Sequence, residues 1–380
     1  MKISIIIPTC ERVEFLEYSL AACCDIRDDN VEIIVSDNFS ADLTKEVVGR
    51  VGDSRVRYIN TGQRLSMRLN FEYALAHADG DYIIMIGDDD AILPGQFSFL
   101  RKILEDRKPD SLSWKAVHYF WPNEDLPDGG GRIKLARKDL FGPVRFAEKA
   151  QLQRTAVQTR SQKNFILPMI YGGAISMRVV EAMRSNFGGV FLGSWPDIYS
   201  NFASLSRAKN HIYLMHPFSI SGIGKKSHGF SFSYSATGVA ASDSVTSFIN
   251  AQQSDEVVDL INHFPTIEIG IFAHMLNACQ RCSGSFEGID FESEYSKCLT
   301  SLPAGYVEKL ELIHNALLEI AKVTETYSQL SHALEASSVE GIKNLHSDKK
   351  RLICKAIFNL GELFWIPNAL HGKIFKALCG

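Results

Sequence analysis

Near the start of the chain four short apolar runs, Ile3–Ile7, Val31–Val35, Val56–Ile59 and Tyr82–Ile86, are each separated by a stretch with apolar residues at three- and four-residue spacing. Short runs rich in isoleucine and valine read as strands buried on both faces. The intervening stretches, Arg12–Cys24, Ala41–Val51 and Ser66–Ala78, read as helices long enough to cross back over a sheet. Such a series builds an α/β fold with a mostly parallel, Rossmann-like sheet flanked by helices. Ligands of these sheets bind beyond the carboxyl ends of the strands. The residues to inspect are therefore Pro8-Thr9-Cys10-Glu11, Asp37-Asn38 and Gly87-Asp88-Asp89-Asp90, which follow the first, second and fourth strands.

The pattern continues more weakly beyond a Pro- and Gly-rich loop at Trp121–Gly131. Strand-like patches at Ser111–Phe120, Ala174–Met177 and His211–Met215, with a helix at Asp197–Arg207, carry the α/β region to about residue 225. Ser, Gly and Ala then dominate Gly229–Ser247, a composition suited to a connection or a flap. Helical spacing returns at Ser254–His263, Ile267–Cys282, Tyr306–Ala321 and Tyr327–Ala336. The expected organisation is an α/β domain over 1–228, a flexible connection over 229–247 and a helical accessory region over 248–380. With 380 residues, 46% of them apolar, the chain is long enough for that division.

Charge and cysteine usage narrow the function classes. A net charge of −4 gives no ground for a nucleic-acid partner. The eight cysteines form no disulfide framework, and Cys279 and Cys282 make a lone C-x-x-C without a second pair at zinc-ribbon spacing. No signal peptide pattern and no apolar stretch near the ~20 residues of a membrane span is seen. A cytoplasmic protein is expected. Its last segment is locally basic: Lys349, Lys350, Arg351, Lys355, Lys373 and Lys376 stand against Glu362, and Leu352, Ile353, Ala356, Ile357, Leu360 and Phe364 share one helical face. That tail fits either a helix on anionic lipid or one packed on protein.

Three adjacent carboxylates at a strand's end, Asp88, Asp89 and Asp90, repel one another unless a cation or solvent compensates them. Hard oxygen ligands suit Mg²⁺ or Mn²⁺, which commonly bridge protein to phosphate; a solvated acidic turn is the alternative.

The ordered set Ile3-Ser4-Ile5-Ile6-Ile7-Pro8-Thr9 with Glu11-Arg12, then Val31 to Asn38, then Asn70-Phe71-Glu72 leading to Ala78-Asp79-Gly80-Asp81-Tyr82, resembles family 2 glycosyltransferases. The resemblance implies the GT-A fold and a metal-dependent, inverting transfer from a nucleotide-sugar. The donor would be a UDP-sugar, and the acceptor a glycan or lipid-linked glycan of surface polysaccharide or lipopolysaccharide synthesis. It places Pro8, Thr9 and Glu11 beside the nucleoside, Asp37 on the base, and Asp88 with Asp90 as a D-x-D pair for metal and diphosphate, Asp89 sharing that role. Arg68, with Arg64 as a weaker candidate, would touch the donor. Gly87 stands where the family commonly has Asp.

The segment Gly193-Ser194-Trp195-Pro196-Asp197 resembles the part of the family that carries the catalytic base, here Asp197, with Pro196 in place of a first acid. A carboxylate there would take the acceptor hydroxyl's proton; capping the following helix is the plain alternative. Trp195, Gly172 and Gly173, with Tyr171, would shape the acceptor pocket. Lys225 and Lys226 would meet the diphosphate, and His228 the metal. A nucleotidyltransferase lacks support, since no glycine-rich basic loop follows the first strand; an inactive sugar- or nucleotide-binding scaffold on the same fold is the other alternative.

Overall fold

A computed structural model of the chain describes residues 1–122, 129–134, 142, 144–147, 166–224, 255, 259–261, 264–284, 286–300 and 310–342. Lys225, Lys226 and His228, the 229–247 connection and the basic tail lie outside these residues, as does most of Ser254–His263.

The expected strands and helices form the first half of the architecture: β1 (Ile3–Thr9), α1 (Val13–Cys24), β2 (Val31–Asp37), α2 (Thr44–Arg50), β3 (Val56–Asn60), α3 (Met67–Ala76) and β4 (Tyr82–Met85). They assemble side by side as β3-β2-β1-β4, all parallel. Next come β5 (Ala91–Ile92), α4 (Pro94–Arg107), β6 (Ser111–Trp114), β7 (Val117–Phe120), β8 (Arg132–Lys134) and β9 (Val144–Ala147). They are followed by β10 (Gly173–Ser176), α5 (Met177–Phe187), α6 (Pro196–Ser204), β11 (His211–Leu214) and β12 (Ser219–Ile223). The large sheet has the order β3-β2-β1-β4-β10-β6-β11-β9. In it β10 runs against both β4 and β6, and β9 runs against β11. The α/β, mostly parallel architecture read from the sequence is the one observed.

Alternation along the strands sends the apolar residues to two faces. Ile3, Ile5, Ile7, Ile33, Val35 and Ile84 pack with Leu16 and Leu20 of α1 and Phe97, Leu100 and Leu104 of α4. Ile6, Ile34, Ile83 and Met85 point the other way, onto Phe71 and Leu75 of α3 and Val179, Val180 and Met183 of α5. Both faces are covered by helices, which is why β1 and β2 are buried along their whole length.

The second face does not end with the α/β elements. The C-terminal helices α7 (Ile267–Ser283), α8 (Phe291–Thr300), α9 (Leu310–Thr324) and α10 (Tyr327–Ile342) contribute Phe272, Leu276, Tyr295, Ile313, Leu317 and Leu330 to the same apolar cluster. These helices match the expected helical region, which thus shares a core with the sheet. The expected stretch Tyr306–Ala321 is observed from Leu310 and runs on to Thr324.

Two features have no counterpart in the sequence reading. Helices α4 and α5 cover the two faces, α4 opening on Pro94 at its first turn and closing on Lys108 in the left-handed region. A small second sheet of order β5-β12-β7-β8 begins immediately after the acidic turn. Its β5 is two residues long and is held by β12 through the pairs Ile92↔Ser219 and Ala91↔Ile220. The run Gly87–Asp90 is thereby fixed at both ends, by β4 of one sheet and β5 of the other.

Candidate active site

The carboxyl ends of β1, β2 and β4 open on one edge, and the turns that leave them are tied together. After β1 the chain turns at Glu11, which takes φ of 55°. Its amide donates to Ser40 Oγ at 2.9 Å and its carboxylate accepts from the Ala41 amide at 2.9 Å. Arg64 reaches the same carboxylate at 2.5 Å and also touches Cys10. Asn38 clasps Leu65 with both ends of its amide, at 2.9 Å each. Buried Asp37, at the end of β2, accepts from Tyr58 Oη (2.6 Å), Asn60 Nδ2 (2.9 Å) and the Ser40 amide (2.9 Å). Pro8, Thr9, Glu11 and Asp37 thus come together as one rim. Arg68 stands apart from it as a fork on Asp255, Nε to Oδ2 at 2.9 Å and Nη2 to Oδ1 at 2.6 Å, with Ser66 on the same carboxylate.

The acidic turn lies beneath this rim, and its three members are held differently. Asp88 Oδ2 accepts from Thr9 Oγ1 at 2.7 Å, while Oδ1 faces Arg12 Nη1 at 3.1 Å. Asp89 Oδ2 faces Arg12 Nη2 at 2.7 Å and has no hydrogen-bond donor in good geometry. Asp90 is turned inward: Oδ2 accepts from the Gly87 amide (2.8 Å) and Tyr171 Oη (3.0 Å), and Oδ1 from the Gly222 amide (2.8 Å). Burial pushes the Asp88 carboxyl up to about 6 against the pull of Arg12. Burial and the neighbouring Asp89 charge push Asp90 up to about 7.

Gly87, where the family pattern has an acid, has a steric reason here. A Cβ at this position would strike the Tyr171 hydroxyl and come within 2.9 Å of Asp89 Oδ1. Gly222 is constrained in the same way, since its Cβ would land on the Asp89 carbonyl.

Asp88 and Asp89 have the chemistry of a divalent-cation half-site: hard, buried oxygens, one of them without a hydrogen-bond donor among the described residues, with Arg12 as the cation that faces both. The two oxygens of Asp90 are already engaged. Among the described residues no three His, Cys, Asp or Glu side chains converge as a metal cage, so the remaining ligands would have to come from phosphate or water.

A further acid, Asp197, is near enough to Tyr171 for its charge to be felt there. Asp197 sits in the first turn of α6, directly after Pro196, and the residue preceding the helix, Trp195, makes no side-chain cap. Burial raises the Asp197 carboxyl, opposed by the Ile198 amide and the nearby His274 ring. Tyr171 joins the two acidic centres. It donates to Asp90, and its hydroxyl is held well above the ordinary range by burial and by the charges of Asp90, Asp89 and Asp197.

Trp195 lies at the junction with α7. Its ring stacks on His274 (centroids 5.6 Å apart, planes 15° from parallel) and packs beside Phe264 and against Gly270. Its amide donates to His274 Nε2 at 2.9 Å, while Nδ1 lies 2.7 Å from the Gly270 carbonyl. A neutral imidazole with its proton on Nδ1 satisfies both. Asp259 accepts from the Ser194 amide at 3.3 Å and from Asn277 at 3.1 Å. Of the other expected acceptor residues, Gly172 takes φ of 70° beside Tyr171, and Gly173 lies in β10, where a Cβ would collide with Met169.

Sequence reading did not single out Arg12, Glu72, Asp255, Asp259 or His274. Arg12 is the one with a local signal, being a lone cation within the quoted turn. Glu72 accepts from the Val190 and Phe191 amides (2.5 and 2.7 Å), tying α3 to the loop before Asp197, a partnership more than a hundred residues apart that no local pattern announces. Cys279 and Cys282 are free thiols on α7.

Residues 4–165 match the family model described as Glycosyl transferase family 2. A GalNAc(5)-diNAcBac-PP-undecaprenol beta-1,3-glucosyltransferase of Campylobacter jejuni is 34% identical over 102 residues, which is 26% of this chain and 33% of that protein. Abequosyltransferase RfbV of Salmonella typhimurium is 33% identical over 142 residues, 33% of this chain and 42% of that protein. The matched region therefore spans less than half the length of either relative. Among solved structures, S. aureus TarS 1-349 in complex with UDP-GlcNAc superposes with a TM-score of 0.49 at 13% identity, covering 87% of this chain and 92% of that one. No helix among the described residues is long and apolar enough to cross a membrane.

Proposed function

We propose that this chain, whose residues 4–165 match the glycosyl transferase family 2 model, transfers a sugar with inversion from a nucleotide-sugar, a UDP-sugar by preference, to a glycan or lipid-linked glycan acceptor of surface polysaccharide synthesis. The observation that carries this reading is that Tyr171, which donates to Asp90 of the buried acidic turn, also feels the charge of a separate raised carboxyl, Asp197. A diphosphate leaving group and an acceptor hydroxyl need those two kinds of carboxylate on opposite sides of the anomeric carbon.

In this reading the rim of Pro8, Thr9, Glu11 and Asp37 receives the nucleoside. Asp88 and Asp89 hold Mn²⁺ or Mg²⁺, which supplies charge stabilisation to the departing diphosphate. Asp90 orders the turn by fixing Gly87, Gly222 and Tyr171 rather than by facing the ligand. Asp197 removes the acceptor's proton, and its raised carboxyl suits a base that works near neutral pH. Arg68 serves through Asp255, by anchoring the start of α3. Lys225, Lys226 and His228 remain proposed cover for the diphosphate and metal, and the tail from Lys349 to Lys376 a proposed contact with anionic lipid. The name of the Campylobacter jejuni relative, which specifies an undecaprenol-diphosphate-linked oligosaccharide, supports a lipid-linked acceptor on a cytoplasm-facing surface.

Calorimetric titration with a panel of nucleoside diphosphates, with and without Mn²⁺, tests the donor half. The expected result is Mn²⁺-dependent UDP binding that disappears in an Asp88→Ala/Asp89→Ala variant. Absence of binding by any nucleotide would overturn the transferase reading in favour of a scaffold; tighter binding of another nucleotide would change the donor alone.

A further inference from the structure

We infer that Arg12 is the resident counter-ion of the acidic turn, and that a divalent cation binds only by displacing its guanidinium from Asp88 and Asp89. The inference rests on the cation-site reading above and adds to it the group with which the cation must compete.

One guanidinium spans both carboxylates, Nη1 to Asp88 at 3.1 Å and Nη2 to Asp89 at 2.7 Å. These are the carboxylates that fit a cation, because Asp90 spends its oxygens on Gly87, Gly222 and Tyr171. Burial alone would lower the Arg12 guanidinium, yet Asp88 and Asp89 outweigh it and hold it above its ordinary value. A cation seated on the same oxygens would lie within a few ångströms of that charge, at a separation where buried like charges repel strongly. The two cannot share the site.

Arg12 is also placed to leave. Among the described residues its Nε has no acceptor, and its Nη2 meets Asp89 at 2.7 Å outside good hydrogen-bond geometry, so the fork is held by charge more than by directed bonds. The Phe15 ring, 5.2 Å from its guanidinium carbon, provides a second support that does not depend on the carboxylates. Once displaced, the fork is a free donor set beside the diphosphate the cation carries.

The test is Mn²⁺ binding to the full chain without nucleotide, measured by calorimetry and by the thermal shift Mn²⁺ produces, in wild type, Arg12→Gln and Arg12→Lys. Arg12→Gln should bind Mn²⁺ at least about tenfold more tightly than wild type and gain correspondingly more melting temperature from the ion. Arg12→Lys, a point charge that cannot span both carboxylates, should fall between them. Equal or weaker binding in the variants overturns the role of Arg12 while leaving the cation site standing. No Mn²⁺ binding by wild type or either variant overturns the cation site and this inference together. Should the Gln variant fail to fold, the Lys variant decides: tighter binding than wild type supports the exchange, and equal or weaker binding overturns it.

Discussion

Asp90 is buried and Asp197 half-buried, both with raised carboxyls, yet their surroundings assign them different work. Asp90 is saturated by two amides and a phenol. Asp197 is supported by the Ile198 amide and its own amide in the first turn of α6, with the His274 ring nearby. Asp197→Asn keeps the shape and removes the proposed base, so transfer should fall by roughly 100-fold or more while UDP affinity stays within about a factor of two. Parallel loss of nucleotide binding would mark Asp197 as structural. At this scale the sequence showed what lies just after a strand: Pro8, Thr9, Asp37 and the Asp88–Asp90 run needed only the positions of β1, β2 and β4. It could not show which oxygens stay available, because that is decided by Arg12, Tyr171 and Gly222 arriving from other segments. Trp195 is the sharpest case. Its place beside the proposed base suggested a sugar-stacking ring, and the ring face is taken instead by His274 from α7.

The helices that carry these residues are positioned by contacts between elements. Glu72 on α3 receives the Val190 and Phe191 amides, and Gly270 on α7 admits the six-membered ring of Trp195 where any side chain would collide. Because the Gly270 backbone is held inside a helix, a methyl group there must move Trp195, and with it the start of α6. Gly270→Ala should cost about 1 to 3 kcal/mol in denaturant unfolding and reduce transfer more than nucleotide binding, since α6 carries Asp197 and the rim is built by other elements. Unchanged stability with unchanged transfer would show that the junction yields freely. The parallel strands were legible because an isoleucine-rich run buried on both faces has few other homes. The two-residue β5 was not, since pairing with β12 creates it and Ala91–Ile92 carries no periodicity of its own. The covering helix α4 opens on Pro94 and Gly95, residues that carry no apolar helical periodicity of their own.

Across the whole molecule, one apolar cluster runs from Ile6 and Ile34 of the sheet to Ile313 and Leu317 of α9, so the C-terminal helices and the sheet should unfold together. Buried histidines supply a probe in each part. His211 in β11, bonded to Ser111 Oγ at 2.6 Å and the Ile166 carbonyl at 2.9 Å, and His314 in α9 are both lowered to about 4 by burial. A histidine whose folded value is depressed stays neutral while the unfolded chain takes up a proton. Its contribution is therefore complete above its ordinary value of about 6.5 and is lost as pH falls from there towards about 4, at most ~3 kcal/mol for each. Asp88 and Asp90, raised to about 6 and about 7, act in the opposite sense, since the folded state holds their protons more tightly and gains stability on acidification. The wild-type profile between pH 7 and 5 should consequently be shallow, and the histidine contribution has to be read as a difference. His314→Leu removes one proton site from the helical part alone. Relative to wild type, its unfolding free energy in denaturant should improve by about 2 kcal/mol on going from pH 7 to pH 5. If sheet and helices form one cooperative unit, that gain, measured in a Trp365→Phe background, shifts a single transition followed equally by near-ultraviolet dichroism and tryptophan fluorescence, because Trp114, Trp121 and Trp195 lie outside α8–α10 and can report the change only through the shared core. Two transitions, with the tryptophan signal unmoved by His314→Leu, would instead mean that the cluster is a contact between separately folding parts.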